Sequence, residues 1–399
     1  MTASLRPSGF KEAASFARPT FGEPNLRSLD ALRGLLACYV VLGHARWLLW
    51  AGFSEWSTQT HALWANVIAY AAASLRYGHE AVMVFFVLSG FFIHLRIAQR
   101  MAENKAPAMN TTDYARRRIH RLLVPYLFAL GLTLLCDLVG RAYFPELYQA
   151  TTGDSLLDAN FARKDFSWVA VAPACAGLPG ALGKDFGSNG PLWSLAYEVV
   201  YYALYPLWLQ ARRISPWLAY ALIPLGCTGA LFLPGGSWVA SVAIHYPIWL
   251  AGAGLAEWMT LRRAAPGPGF ATGMYGLVGL VGPLVARQFP LLQIALSVLL
   301  GTTIVWLFAK LPATWTSRWW HRLSEYFGRR GYTIYICHFP ILTLLAAATI
   351  HLYGKRPLSG WLAATGALIT LGVCCLAFEV CERHFLHGRI RLTDGSRIG

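Results

Sequence analysis

The sequence predicts an all-α integral membrane protein with about ten transmembrane helices, and three observations lead to that prediction. Only 13% of the 399 residues are charged, whereas soluble globular proteins carry about 25%. Hydrophobic residues make up 56% of the chain, and its mean hydropathy is +0.44. Apolar runs of about 17–22 residues recur along the chain, and each is long enough to cross the hydrocarbon core of a bilayer as a helix.

The predicted spans follow one another with polar connections between them. They cover residues 31–50, 78–98, 122–140, 194–211, 216–233, 239–258, 271–287, 290–309, 331–351 and 360–380. A shorter apolar run near 62–75 is interpreted as an interfacial or re-entrant segment. The 16 Trp and 18 Tyr residues suit the aromatic belts that form at membrane surfaces.

Basic residues predict the orientation of these spans. If the N-terminus lies in the cytoplasm, most Lys and Arg residues fall in cytoplasmic segments, as the positive-inside rule requires. An even number of spans then places both termini in the cytoplasm. We expect a polar N-terminal tail at 1–29, a membrane domain at 30–382 and a cytoplasmic tail at 383–399. This topology accounts for the net charge of +15, and no nucleic-acid-binding motif accompanies it.

Residues 141–192 form a long polar connection that this topology places outside the cell. The segment contains scattered basic residues such as Lys164 and ends in a Gly/Pro-rich stretch. Its acidic residues are Asp154, Asp158, Asp165 and Asp185. Long loops in compact proteins are often lids or binding elements. Two interpretations stay open here, a functional lid and a mobile connector.

The first predicted span carries an arginine and a histidine on one helix face. Eleven residues separate Arg33 from His44, which in a helix brings them within about 20° of each other and about 16 Å apart along the axis. An arginine inside a span costs about 2.5–3.5 kcal/mol and is expected to face a protein interior or a wet cavity. Asp30 can pair with Arg33 at i,i+3. Arg33 and His44 are therefore functional candidates. The alternative is that Asp30 and Arg33 mark one end of the helix at the membrane surface and that His44 anchors the other end.

Two further spans carry polar candidates for the same site. Glu198 lies about four residues into its span, with Ser194 and Tyr202 as i±4 neighbours. It could orient or charge-balance His44, or it could be an acid near the positive end of a helix. His338 lies in the ninth span and is either functional or structural. Weaker candidates are His94, His245 and Glu257.

A dense basic cluster lies at the predicted cytoplasmic mouth of the third span. It consists of Arg116, Arg117, Arg118 and Arg121. Helical spacing lets Arg118 and Arg121 converge on one face, and guanidinium groups suit phosphate. The alternative is a plain topology signal.

Five segments, in order, carry a resemblance to a known family. They are RSLDALRGLLACYVVLGH (27–44), GHEAVMVFFVLSGFF (78–92), RRRIHRLLVPYL (116–127), NGPLWSLAYE (189–198) and GYTIYICHFP (331–340). Together they resemble the acyltransferase-3 family of integral membrane acyltransferases. The small Ser89–Gly90 pair is expected to allow close helix packing. The chain departs from the family at Gly331, where Ser is common, and at Ala81, where Gly is common.

The resemblance implies an enzyme that moves an acyl group from cytosolic acyl-CoA to a hydroxyl, often of a cell-surface carbohydrate. The chain would be a stand-alone form without the extracytoplasmic hydrolase-like domain that some members carry. His44 would act as general base in a cavity lined by Arg33 and Glu198, and Asp30 and His338 complete the predicted catalytic set. The four arginines would bind the phosphates of CoA.

Acyl-CoA would be a co-substrate, and no permanently bound cofactor is expected. No metal is expected either, because the eight cysteines show no metal-ligand spacing. A small hydroxyl compound such as an antibiotic is the alternative acceptor. An alternative of a different class is a transporter or flippase of a lipid-linked sugar, since intramembrane charges suit that function too.

Overall fold

The computed structural model describes residues 23–105, 109–221, 232–233, 237–261, 290–311 and 318–383. Within these residues, the regular structure is helical apart from one pair of two-residue strands. Seven of the described helices are long and apolar enough to cross a membrane, which confirms the predicted all-α membrane fold class. The predicted span at 271–287 and most of the one at 216–233 lie outside the described residues. The count of ten and the location of the termini therefore stay predictions.

The helices fall into a long and a short group. The long helices are α1 (Glu23–Leu49), α4 (Gly78–Ala102), α5 (Thr111–Tyr143), α9 (Trp193–Ile214), α10 (Trp238–Leu261), α11 (Pro290–Ala309), α12 (Trp319–Tyr353) and α13 (Trp361–Cys381). The short helices are α2 (Phe53–Trp56), α3 (Leu63–Ala73), α6 (Pro145–Tyr148), α7 (Ser155–Phe161) and α8 (Trp168–Cys175). All the long helices except α9 contain one of the seven apolar stretches. The apolar run near 62–75 forms α3, whose 11 residues are too few to span a bilayer.

Helices α1 and α12 pack closely and run in the same direction. A Cβ atom added to either Gly34 or Gly328 would lie within 1.9 Å of a backbone oxygen of the other helix. Small residues are what allow two helix backbones to approach this closely. Ten residues beyond these glycines, His44 of α1 meets His338 of α12. Because the separation is ten residues on both helices, the glycine contact and the histidine contact belong to the same register of α1 against α12.

The described helices form two hydrophobic clusters. One is built mainly from α4, α9, α10 and α11, and the other from α1, α5, α12, α13 and the short helices between α5 and α9. Helices α4 and α10 cross at Gly90 and Gly252, where an added Cβ would lie within 2.0 Å of the facing backbone. This crossing confirms the close packing expected of the Ser89–Gly90 pair.

Pro340 lies inside α12, two residues after His338, and a side chain from outside the helix compensates for the hydrogen bond that the proline removes. Proline has no N–H, so the carbonyl of Ile336, four residues earlier, loses its helical partner. The amide of Asn189 donates to that carbonyl at 2.9 Å and to the Thr133 hydroxyl of α5 at 3.0 Å. Within a bilayer such a carbonyl needs a partner from the protein. Asn189 therefore attaches the end of the 141–192 segment to α12.

The 141–192 segment, called the outer loop below, has regular structure of its own. It contains α6, α7 and α8 and a parallel pair of strands, β1 (Lys164–Asp165) and β2 (Asp185–Phe186). The backbone N–H of Ser188 donates to Asp137 of α5 at 2.6 Å. Lys164 Nζ donates to the Ser188 carbonyl at 3.0 Å. These contacts attach the outer loop to the membrane helices, and its role as a lid stays a prediction.

Candidate active site

The two histidines predicted from separate spans lie side by side. His44 Nδ1 is 2.8 Å from His338 Nε2. The two rings are stacked, with 5.1 Å between their centroids and an interplanar angle of 9°. His338 is fully buried, whereas His44 is partly exposed. Both residues were predicted from the sequence as candidates, but their contact was not.

Hydrogen bonds to the backbone assign the tautomers of this pair. His338 Nδ1 lies 2.7 Å from the Tyr335 carbonyl oxygen and 3.1 Å from that of Ile334. Carbonyl oxygens only accept, so Nδ1 carries the proton, and Nε2 of a neutral His338 accepts from His44 Nδ1. The lone pair of His44 is then on Nε2. A base oriented by a second group in this way is the arrangement that proton abstraction from a nucleophile needs.

The outer loop brings a buried lysine close to the histidine pair. Lys164 is 7% exposed, and its Nζ lies 4.4 Å from the ring centroid of Phe161 and 4.7 Å from that of Phe339. The Phe339 ring meets the His44 ring edge to face, with 5.0 Å between centroids. The ammonium group is within electrostatic range of His44. The Phe339 ring therefore lies between a positive charge and the candidate base.

Lys164 makes no ion pair with a carboxylate of the described residues, although Asp185 and Asp137 act on it from a greater distance. Burial lowers the pKa of Lys164 from 10.5 to about 8, and the two carboxylates oppose that change. Perturbed pKa values are concentrated at functional sites. Sequence analysis treated Lys164 only as one exterior base, because a charged residue in a polar loop is exposed by default.

At the other end of the α1 face, Arg33 pairs with Asp30 at 3.3 Å, as helical spacing predicted. Arg121 of α5 lies within electrostatic range of Arg33, and the buried Glu382 lies within range of both arginines. The Glu382 carboxylate accepts a hydrogen bond from the Thr333 hydroxyl. Glu382 was missed from the sequence because it follows the last apolar run.

Glu198 belongs to a polar network between α4, α9 and α10. Its carboxylate accepts a hydrogen bond from the Tyr202 hydroxyl. That hydroxyl is 3.1 Å from Ser89 Oγ, which in turn accepts from the Trp249 indole at 3.1 Å. The group that orients His44 is His338, so a direct action of Glu198 on His44 stays a prediction.

Two of the four clustered arginines lie close to aromatic and charged groups of neighbouring helices. The Arg118 guanidinium is 5.7 Å from the ring centroids of both Tyr114 and Tyr202, and its Nε is buried without a partner among the described residues. Arg121, although accessible to solvent, is within electrostatic range of Arg33 and Tyr202. These two residues therefore lie where the cluster meets the polar groups of α1 and α9.

The other two arginines, Arg116 and Arg117, are exposed. Arg96 of α4, which was not singled out from the sequence, lies within electrostatic range of Arg117 and Arg118. Like charges gathered at one place repel one another, and a bound anion relieves that repulsion. The cluster is thus suited to an anionic ligand, and its role in binding acyl-CoA stays a prediction.

The weaker candidates have local partners. His94 Nε2 lies 2.9 Å from Glu257, which pairs with Arg212 at 2.8 Å. His245 Nδ1 donates to the Ser241 carbonyl at 2.7 Å. Satisfied polar groups of this kind rigidify a fold, so we interpret them as structural.

The described residues contain no group of three or more His, Cys, Asp or Glu side chains that could hold a metal ion.

Comparisons with known proteins assign the family. Searches against curated proteins and against solved structures give no match. A family profile described as an acyltransferase domain matches residues 26–379. The matched range includes the histidine pair, Lys164 and the four clustered arginines. Because the match covers nearly the whole chain, the chain belongs to the acyltransferase-3 family and is a multi-pass membrane acyltransferase.

Proposed function

We propose that the chain transfers an acyl group, in the first instance acetyl, from cytosolic acyl-CoA to a hydroxyl of a cell-surface carbohydrate or its lipid-linked precursor. O-antigen and exopolysaccharide are acceptors of this class, and the inner membrane of a bacterium is the proposed location. The histidine pair carries the proposal, because His338 holds His44 with its Nε2 lone pair available. A hydroxyl nucleophile needs such a base.

In the proposed reaction, His44 Nε2 takes the proton of the acceptor hydroxyl while the hydroxyl oxygen attacks the thioester carbonyl carbon. An ester C–O bond forms and the C–S bond breaks. The CoA thiolate leaves and receives the proton from His44, so that free CoA is released. The ammonium of Lys164 would stabilise the negative charge that develops on the carbonyl oxygen.

The donor would enter from the cytoplasmic side. Its phosphates would bind at Arg118 and Arg121, since guanidinium forks match phosphate oxygens. Arg33 is within range of Arg121 and lies about 16 Å from His44 along α1. The pantetheine arm of acyl-CoA would extend along this face and bring the thioester to the histidine pair.

A small hydroxyl compound would suit the same chemistry, and it is the alternative acceptor. A transporter or flippase would also use charges inside the membrane. The family assignment and the oriented histidine pair favour the enzyme.

To test the proposal, the purified protein is incubated with radiolabelled acetyl-CoA and surface polysaccharide. The label that the polysaccharide carries as base-labile ester is then measured. We expect His44→Ala to lower the transfer rate by about 100-fold or more, the range of general-base catalysis, and His338→Ala to lower it less. His351→Ala is the control, because its ring is exposed and contacts Glu146 and Phe144 rather than His44 or His338. Normal transfer by His44→Ala would exclude the general-base role. Label found only on small compounds would replace the carbohydrate acceptor.

A further inference from the structure

A small cavity lies between the outer loop and the first turns of α9 and α10. It has a volume of about 220 Å³. The outer loop contributes Arg163 and Asp185 to its lining, and the two helices contribute Tyr197, Trp238 and Ser241. The cavity thus combines a carboxylate, a guanidinium, a hydroxyl and two aromatic rings.

Asp185 is the most informative residue of this cavity. It is partly buried, and no described residue donates a hydrogen bond to its carboxylate. Burial raises the pKa of Asp185, while Lys164 and Arg163 lower it from a distance. A partly desolvated carboxylate without a donor is ready to accept hydrogen bonds from the hydroxyl groups of a ligand.

Two aromatic rings form another part of the lining. The Tyr197 and Trp238 rings meet edge to face with 5.9 Å between centroids. Behind them, Tyr197 also packs against Trp193 at 5.0 Å and His245 at 5.8 Å. A pyranose ring has apolar C–H faces that pack on aromatic rings, and a rim of hydroxyls that hydrogen-bond to carboxylate, guanidinium and hydroxyl groups. The cavity offers both kinds of surface.

Contacts lead from this cavity to the histidine pair. A Cβ on Gly190 would lie 3.9 Å from an Asp185 carboxylate oxygen and 3.2 Å from Lys164 Nζ, so both groups flank the same glycine. Lys164 in turn lies over the Phe339 ring, which meets the His44 ring. The cavity is therefore near the reacting centre but separated from it by the lysine.

We propose that this cavity is an acceptor subsite that binds one neutral sugar unit next to the unit that is acylated at His44. Its volume is below the range of about 300–1,000 Å³ found for pockets that hold drug-sized ligands, which matches a single sugar ring. The proposal rests on the proposed function, because it assumes that the acceptor is a carbohydrate. It adds that the acceptor is at least a disaccharide.

The experiment measures acetyl transfer by the purified full-length protein in detergent. The probes are acetyl-CoA and two size fractions, oligosaccharides and single sugars, released by mild acid from the surface polysaccharide of the source organism. Asp185→Asn and Trp238→Ala are compared with Asp165→Asn, which alters another carboxylate of the outer loop, one that pairs with Lys184 at 3.6 Å. Trp238→Phe keeps an aromatic face and serves as the conservative variant.

We expect Asp185→Asn and Trp238→Ala to raise the KM for oligosaccharides about tenfold or more, with the KM for acetyl-CoA unchanged. Trp238→Phe should recover most of the loss, and Asp165→Asn should behave as wild type. On single sugars the KM of the variants should equal that of the wild type, because the subsite is then empty. An unchanged KM for acetyl-CoA also shows that the variants are folded.

Two outcomes would overturn the proposal in distinguishable ways. If the wild type acylates oligosaccharides and the variants have its KM, the subsite is wrong while the proposed function stands. If the wild type transfers acetyl to neither saccharide fraction, the carbohydrate acceptor is wrong, and the subsite is wrong with it.

Discussion

Lys164 brings a positive charge into the protein interior with two aromatic faces and one carbonyl around it and no carboxylate in contact. An ammonium in such surroundings lowers the stability of the fold. Residues that lower stability are found where function requires them. We interpret Lys164 as a residue kept for its charge beside His44, where negative charge develops during acyl transfer.

The pH dependence of stability gives a test of this interpretation. Burial lowers the pKa of Lys164 to about 8, against 10.5 for the unfolded chain. Between these values the unfolded state binds more protons, so the free energy of unfolding rises with pH across the window. Below about pH 8 the full cost of burial remains, about 3 kcal/mol.

Lys164→Met should therefore raise the thermal midpoint of the detergent-solubilised protein at pH 7, with a gain that shrinks towards pH 10.5. The same variant should lower kcat for acetyl transfer about tenfold or more, because the charge that stabilises the oxyanion is lost. Lys184→Met is the control, since Lys184 lies in the same loop but is only partly buried and pairs with Asp165 at 3.6 Å. A stable variant with wild-type kcat would show that Lys164 only attaches the loop.

At the scale of elements, the approach of α1 to α12 brings His44 and His338 together, and glycines permit that approach. Gly34→Ala or Gly328→Ala would place a Cβ within 1.9 Å of facing backbone oxygen. We expect each to lower the free energy of unfolding by about 1–3 kcal/mol or more and to reduce activity as the helices separate.

Gly331 provides the matched control for these variants, because it lies on the same α12 face. A Cβ there would be 3.7 Å from the Arg33 carbonyl oxygen, which is ordinary van der Waals contact. Gly331→Ser, the residue common in the family, should therefore fold and transfer acetyl normally. Thermal midpoints and transfer rates of the three variants test this prediction. Equal stability of all three would contradict the close approach of α1 to α12.

The four clustered arginines lie on one helix, α5, but their surroundings differ. Arg118 and Arg121 lie near the polar groups of α1 and α9, whereas the exposed Arg116 has no such neighbour among the described residues. Each charge-assisted bond to phosphate contributes about 1.5–3 kcal/mol. Replacing Arg118 and Arg121 by Gln should raise the KM for acyl-CoA about tenfold or more, and Lys should restore only part.

Arg116→Gln removes the same charge from the same helix, and the KM for acyl-CoA should hardly change. Initial rates against acyl-CoA concentration, at a fixed acceptor concentration, measure the difference. If all the variants keep the wild-type KM, or if their helix inserts in reverse, the cluster is a topology signal and the donor binds elsewhere.

At the scale of the whole molecule, the site depends on contacts between distant parts of the chain. The Asp30–Arg33 pair was predictable because helix geometry alone places residues three apart together. His44 and His338 are 294 positions apart, and their contact depends on how α1 packs on α12. No local pattern encodes that packing. The burial of Lys164 depends in the same way on Phe339 of α12.

The proposed reaction also requires that the arginine cluster and the outer loop face opposite sides of the membrane. Cys175 can test this, since it is the one exposed cysteine among the described residues and lies at the end of α8 in the outer loop. A membrane-impermeant maleimide should label Cys175 in intact spheroplasts, and Cys175→Ser should abolish the label. Labelling that required permeabilisation would place the outer loop in the cytoplasm.

The cytoplasmic mouth needs its own reporter in the same background. Arg116→Cys combined with Cys175→Ser puts an exposed thiol at the arginine cluster, and it should label only after the membrane is permeabilised. The two results together would place donor and acceptor on opposite sides, as a reaction between cytosolic acyl-CoA and an external carbohydrate requires. Labelling of both thiols from the same side would contradict that arrangement, because His44 would then be reached by both substrates from one compartment.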